Sequence, residues 1–120
     1  MKLPIAAILM LAVAPATYAA GQALPALNCT AGPAKRTYGG TPWLVYACSD
    51  QHSVVFIAAE GSKPAPAVFM MNWAGGTNYQ LHGEGRGDKK AIDAATRQMK
   101  ALVDKDIVQL RTEASKAAAK

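Results

Sequence analysis

The chain has 120 residues, 51% of them apolar, with 13 basic and 8 acidic side chains and a formal net charge of +5. That length fits one small domain with a thin core. The positive charge is scattered, its densest pair being Lys89-Lys90, and no RNP-like strand or zinc-finger spacing accompanies it, which excludes a nucleic-acid binder.

Residues 1–20 open with Met1-Lys2, continue as an apolar run from Leu3 to Ala14, and end in small residues around Thr17-Tyr18-Ala19-Ala20. A basic start, a short apolar centre and a small-residue cut predict a cleaved secretory signal. The run is broken by Pro4 and Pro15 and falls short of the ~20 residues a spanning helix needs, so stable membrane insertion is not expected. No cysteine follows it where a lipid anchor would attach. A periplasmic or secreted product is the expectation, with residues 21–120 as its single domain.

Residues 21–42 carry Pro25, Pro33, Pro42 and Gly39-Gly40, too much punctuation for a helix, and are expected to form an irregular arm. Within it, Ala34 to Tyr38 has the composition of a short edge strand. Cys29 and Cys48 are the only cysteines, without CxxC spacing, so an exported chain is expected to join them as a disulfide pinning the arm.

Residues 43–87 read as strands. Trp43–Cys48, Ser53–Ala59, Ala67–Trp73 and Thr77–His82 are rich in β-branched and aromatic residues and alternate with polar or glycine-containing turns. Connections this short suit antiparallel hairpins, since parallel pairing needs a crossover of a dozen or more residues.

Residues 88–118 read as helical. Asp88 is an N-cap candidate, and Ile92, Ala95, Met99, Leu102 and Val103 recur at three- and four-residue steps. A continuous helix would set Asp106 beside that stripe. A break near Val103 to Lys105, with Asp104 capping a second helix through Ile107, Leu110 and Ala114, removes the conflict. The predicted fold is therefore α+β: an antiparallel meander of three to five strands packed against one or two C-terminal helices.

One pattern points towards function. The fourth strand alternates, Tyr79 and Leu81 against Asn78, Gln80 and His82, whereas the first three are apolar on both faces. A single helical layer covers one face, so the other must meet the 21–42 arm, a partner chain or a ligand. Trp43, Phe56, Met70 and Trp73 are the candidate interaction residues on the helix-free face, although alternation alone does not fix which face that is.

Catalytic patterns are poor. His52, His82, Asp50 and Glu84 are the one grouping of metal-ligand types, and nothing in the sequence gathers three of them, so no metal or cofactor is expected. Ser53 adjoins His52, but neighbours on a strand point to opposite faces, and no Gly-x-Ser-x-Gly elbow occurs. Glu60 and Glu84 end different strands, with nothing to pair them as acid and base. Gly83-Glu84-Gly85-Arg86-Gly87 has the glycines of a phosphate loop, but Asp88 at the following cap would repel an anion. Arg86-Gly87-Asp88 also matches the adhesion tripeptide, a three-residue pattern that chance supplies often.

Tyr46-Ala47-Cys48-Ser49-Asp50, with Val54-Val55-Phe56 after it, resembles the tyrosine-x-cysteine strand of the periplasmic C-type lysozyme inhibitors, over about Tyr46 to Gly87. That resemblance implies a small β-barrel and a loop entering the lysozyme cleft. The corresponding loop is Gly83 to Gly87, bearing Glu84 and Arg86 as possible contacts but neither the serine nor the following tyrosine of that family. The expectation is a small exported, non-catalytic binding protein with an unknown protein partner or self-association. An inhibitor or immunity-type protein against an exported cell-wall enzyme is the alternative, and a small periplasmic enzyme comes third.

Overall fold

A computed structural model describes residues 27–120, so the expected signal at 1–20, its cleavage and residues 21–26 lie outside the described residues. Five strands and two helices follow in order: β1 (Ala31–Tyr38), β2 (Thr41–Ala47), β3 (Val54–Ala58), β4 (Ala67–Trp73), β5 (Tyr79–Gly85), α1 (Lys89–Lys100) and α2 (Asp104–Ala118). The strands form one antiparallel sheet in sequence order β1-β2-β3-β4-β5, the predicted meander packed against two C-terminal helices.

The segment expected to be an irregular arm with a short edge strand at Ala34 to Tyr38 instead supplies a full first strand from Ala31 to Tyr38. Gly39 and Gly40 are not breakers here: both have positive φ, 58° and 77°, the conformation of a two-residue hairpin turn between Tyr38 and Thr41. Gly32-Pro33 falls where the β1–β2 register shifts, a place an edge strand tolerates because Pro33 has no N–H to pair. The sheet therefore starts at Ala31 rather than Trp43. The Cys29–Cys48 disulfide forms just outside this hairpin, with a sequence separation of 19. Two hydrogen bonds reinforce it, from Ser49 N–H to the Asn28 carbonyl (2.7 Å) and from Asn28 N–H to Ser49 Oγ (3.0 Å).

The helices break near the expected place, with a different cap. Val103 is extended, and its N–H donates to the Asp106 carboxylate (2.9 Å), so Asp106 faces the helix start instead of an apolar seam and Asp104 lies inside α2. Val103 is consequently 60% exposed and leaves the apolar stripe assigned to it. Asp88 caps α1 as expected, accepting the Ala91 N–H (2.9 Å).

Both helices lie on one side of the sheet. Ala95 and Met99 of α1, and Ile107, Leu110 and Ala114 of α2, form a single core with Trp43, Val45, Phe56, Phe69 and Met71. The Tyr38 and Phe56 rings meet edge to face at 5.5 Å, and Trp43 tilts against Phe69 at 6.2 Å. The Trp43 indole N–H is satisfied by Thr41 Oγ1 (3.0 Å). An ion pair from Arg36 to Glu113 fastens α2 to β1. Because α1 touches both β1 and β5, the sheet curls at its edges towards the helices.

Candidate functional site

The strand register decides which side chains are left over for function. Trp43, Val45, Phe56, Phe69 and Met71 point towards the helices, so by alternation Leu44, Tyr46, Val55, Ile57, Val68 and Met70 point away. Of the expected interaction residues, only Met70 lies on this helix-free face. Trp43 and Phe56 are fully buried in the core, and Trp73 shares their side. Trp73 sits at the end of β4, stacked on the His52 ring at 3.7 Å and 11°.

The helix-free face is organised in cross-strand rows. Lys35 pairs with Leu44, Leu44 with Ile57, Ile57 with Val68 and Val68 with Glu84. The adjacent row runs Tyr46, Val55, Met70 and His82. Two rows of apolar side chains thus cross β2, β3 and β4, and Asn72 and Gln80 bound them as a paired polar row beyond. Val68 is 49% exposed, while Val55 in the middle is shielded by its neighbours. A depression of about 420 Å³ beside Ile57, Val68 and Pro66 continues the face towards the β3–β4 loop. The described part of the arm does not cover it. From Ala31 to Tyr38 the arm is an edge strand, which widens the sheet instead of folding over it.

Glu84, expected on a projecting loop, is a β5 residue on this same face, opposite Val68. Gly83 to Gly85 are strand too, and Gly83 permits a close approach, since a Cβ there would stand 2.2 Å from the Val68 carbonyl oxygen. Arg86 follows, with its N–H bonded to the Pro66 carbonyl (2.8 Å), and Gly87 is pressed against Pro64. This connection is short and pinned, and Asp88 is engaged as a cap, so the residues expected on a projecting loop lie at a strand end and in a tight connection to α1.

A second cluster gathers polar residues at the end of the sheet. Buried Ser53 donates its hydroxyl to Asp50 Oδ2 (2.6 Å) and accepts the Trp73 N–H (2.9 Å), while Asp50 Oδ1 accepts from the backbone N–H groups of His52 (2.9 Å) and Ser53 (2.7 Å). Burial pushes the Asp50 carboxyl up, but these hydrogen bonds and nearby Arg111 outweigh it and hold it below the usual carboxylate range. Arg111 reaches from α2 to the carbonyls of Cys48 (3.1 Å) and Ser53 (3.0 Å). Tyr79 donates to Asp104 (2.7 Å), and burial together with that carboxylate pushes its phenol up to about 12. Open grooves flank Tyr79, of about 660 Å³ towards Leu102 and about 570 Å³ towards Arg111.

This cluster ties the β2–β3 turn to β4 and α2. The Ser53 proton is directed to Asp50 rather than to the His52 imidazole, which lies flat on Trp73. His82 is on the helix-free face across from Met70, so the two histidines stand on opposite sides of the sheet. Among the described residues no three histidine, cysteine or carboxylate groups come together as a metal site. Sequence reasoning missed Arg111, which carries no motif, and Lys35, which lay in the arm.

Among the described residues no helix is long and apolar enough to cross a membrane, and the bonded cysteine pair is compatible with an extracellular protein. No protein-family model, curated protein or solved structure matches this chain.

Proposed function

We propose that the chain is an exported, non-catalytic interaction protein of the periplasm or extracellular space, binding through the helix-free face of its sheet. The observation that carries this reading is the pair of apolar rows over β2–β4, with Val68 half exposed and no described element of the chain above them. A contiguous apolar patch on a small domain marks a contact surface, because its hydration is relieved only when something binds. Met70 and Tyr46 suit such a contact, one being adaptable and the other amphipathic. The Ser53 cluster supports a non-catalytic role, as its donors and acceptors are spent on holding the turn.

The test replaces Val68 with a photo-crosslinking amino acid in exporting cells, with Val108 as control. Val108 is similarly exposed, at 53%, but lies on α2. Irradiation is expected to give a discrete adduct from position 68, several-fold above that from 108. Equal or absent adducts at both positions would refute this reading.

A further inference from the structure

We propose that the occupant of the helix-free face is a second copy of this chain, packed face to face about a two-fold axis that lies between the two sheets, parallel to β3 and level with Ile57. This rests on the reading of that face as a contact surface and names its partner. The row Lys35–Leu44–Ile57–Val68–Glu84 is the reason: a cation at one end, an anion at the other, and three aliphatic residues between, one per strand. Neighbouring strands lie ~4.8 Å apart, so Lys35 and Glu84 sit about 10 Å to either side of Ile57. A half-turn about that axis exchanges the two flanks. It sets Lys35 over Glu84 of the second copy twice, Leu44 over Val68 twice, and Ile57 on itself.

The neighbouring row obeys the same operation. Val55 meets its own copy, and Tyr46 comes over Met70, a sulfur–aromatic contact. Such an interface is isologous, each patch serving as its own complement. The two charges are also available: both side chains are exposed, and the ion pairs among the described residues are Arg36–Glu113 and Lys89–Asp93.

Shape and size agree. Aligned sheets pack ~10 Å apart and about 30° off parallel. The curl of the sheet draws its edges back, so short aliphatic side chains belong at the middle and long ones at the flanks, where Lys35 and Glu84 are placed. Five strands of about seven residues make a face of roughly 24 by 24 Å, hence somewhat over 1,000 Å² for the pair, at the lower end for a specific interface. The dimer is therefore weak and concentration-dependent. Its flanking ion pairs set register and orientation more than affinity.

The test is light scattering of the purified protein over a dilution series. The wild-type chain is expected to double its molar mass as concentration rises. Lys35→Glu and Glu84→Lys should each weaken association at least tenfold, because each places like charges together twice. Mixing the two variants should restore dimers, since in the mixed pair both contacts again join opposite charges; the double variant should dimerise alone. A wild-type chain monomeric at every concentration would overturn the proposal, as would a dimer indifferent to both reversals. If either reversal perturbs folding by circular dichroism, Lys35→Gln and Glu84→Gln replace them, each expected to weaken the dimer less. The Val68 crosslink separates the two levels. An adduct with a different protein leaves the contact surface standing and removes the second copy; no adduct removes both.

Discussion

Ser53 illustrates how one buried hydroxyl holds a turn. It links the carboxylate of Asp50 to the backbone of Trp73, twenty residues further on, while Arg111 closes the same turn from α2. Ser53→Ala leaves the Trp73 N–H without that acceptor and should cost about 1–3 kcal/mol in urea unfolding at neutral pH. Asp50 adds a pH dependence with a definite sign. Its carboxyl is held below its unfolded value, so its contribution is complete above about pH 4 and fades as pH falls through the depressed value. Asp50→Asn should therefore cost about 1–2 kcal/mol at pH 7 and progressively less in acid. Glu113 is lowered too, by its bond from Arg36, and contributes to the same acid limb in both proteins, so the difference between them isolates Asp50. A gap between wild type and variant that stays constant down to pH 2 would contradict this assignment.

At the scale of elements, β1 and its turn carry the lesson. Gly39 and Gly40 both have positive φ, but their surroundings differ. A Cβ at Gly39 would lie 2.6 Å from the Ala95 nitrogen, whereas nothing stands within 4 Å at Gly40. The Gly39 N–H also donates to Gln98 (2.7 Å), so this turn is where the hairpin docks on α1. Gly39→Ala should destabilise by about 2–4 kcal/mol, backbone strain plus overpacking, and Gly40→Ala by only about 1–2. Equal effects would mean that the close approach to α1 is not felt. The disulfide acts on the same element: a closed loop of about 20 residues implies about 3 kcal/mol, lost on reduction or in the Cys29→Ser, Cys48→Ser variant. Unfolding midpoints with and without reductant measure it, and coincident midpoints would remove that contribution.

The core of this strand, Ala34 to Tyr38, was legible as a short edge strand, but glycine and proline read as punctuation hid its start at Ala31 and its tight turn into β2, because the same residues that end a helix also make a hairpin and a bulged edge. The other elements were legible. Apolar composition between short turns gave β2, β3 and β4, and the conflict at Asp106 gave the helix break, though not its cap: Val103 has no capping side chain, and the signal was the acid three residues later.

For the whole molecule, the both-faced apolar pattern of the central strands was legible and the assignment of faces was not. Trp43 and Val45 are no more apolar as a set than Leu44, Tyr46 and Ile57, so alternation within those strands is silent about which set meets the helices. The edge strands hold the answer. In β1 Lys35 and Thr37 are exposed between Ala34 and Tyr38, and in β5 Gln80, His82 and Glu84 alternate with Tyr79 and Leu81. Carrying that wet side inward requires the register, which the turn lengths leave open by a residue. Once the register is known, Trp43 and Phe56 leave the candidate surface, while Lys35, Ile57, Val68 and Glu84 join it.

Methionine oxidation reads this surface most directly, because Met70 lies on the helix-free face while Met71 and Met99 are buried in the core as internal controls. Peroxide treatment followed by mass spectrometry should oxidise Met70 in dilute purified protein and spare it both in concentrated protein and in the intact exporting cell, with Met71 and Met99 protected throughout. Met70 oxidised at one rate in all three settings would contradict a covered face.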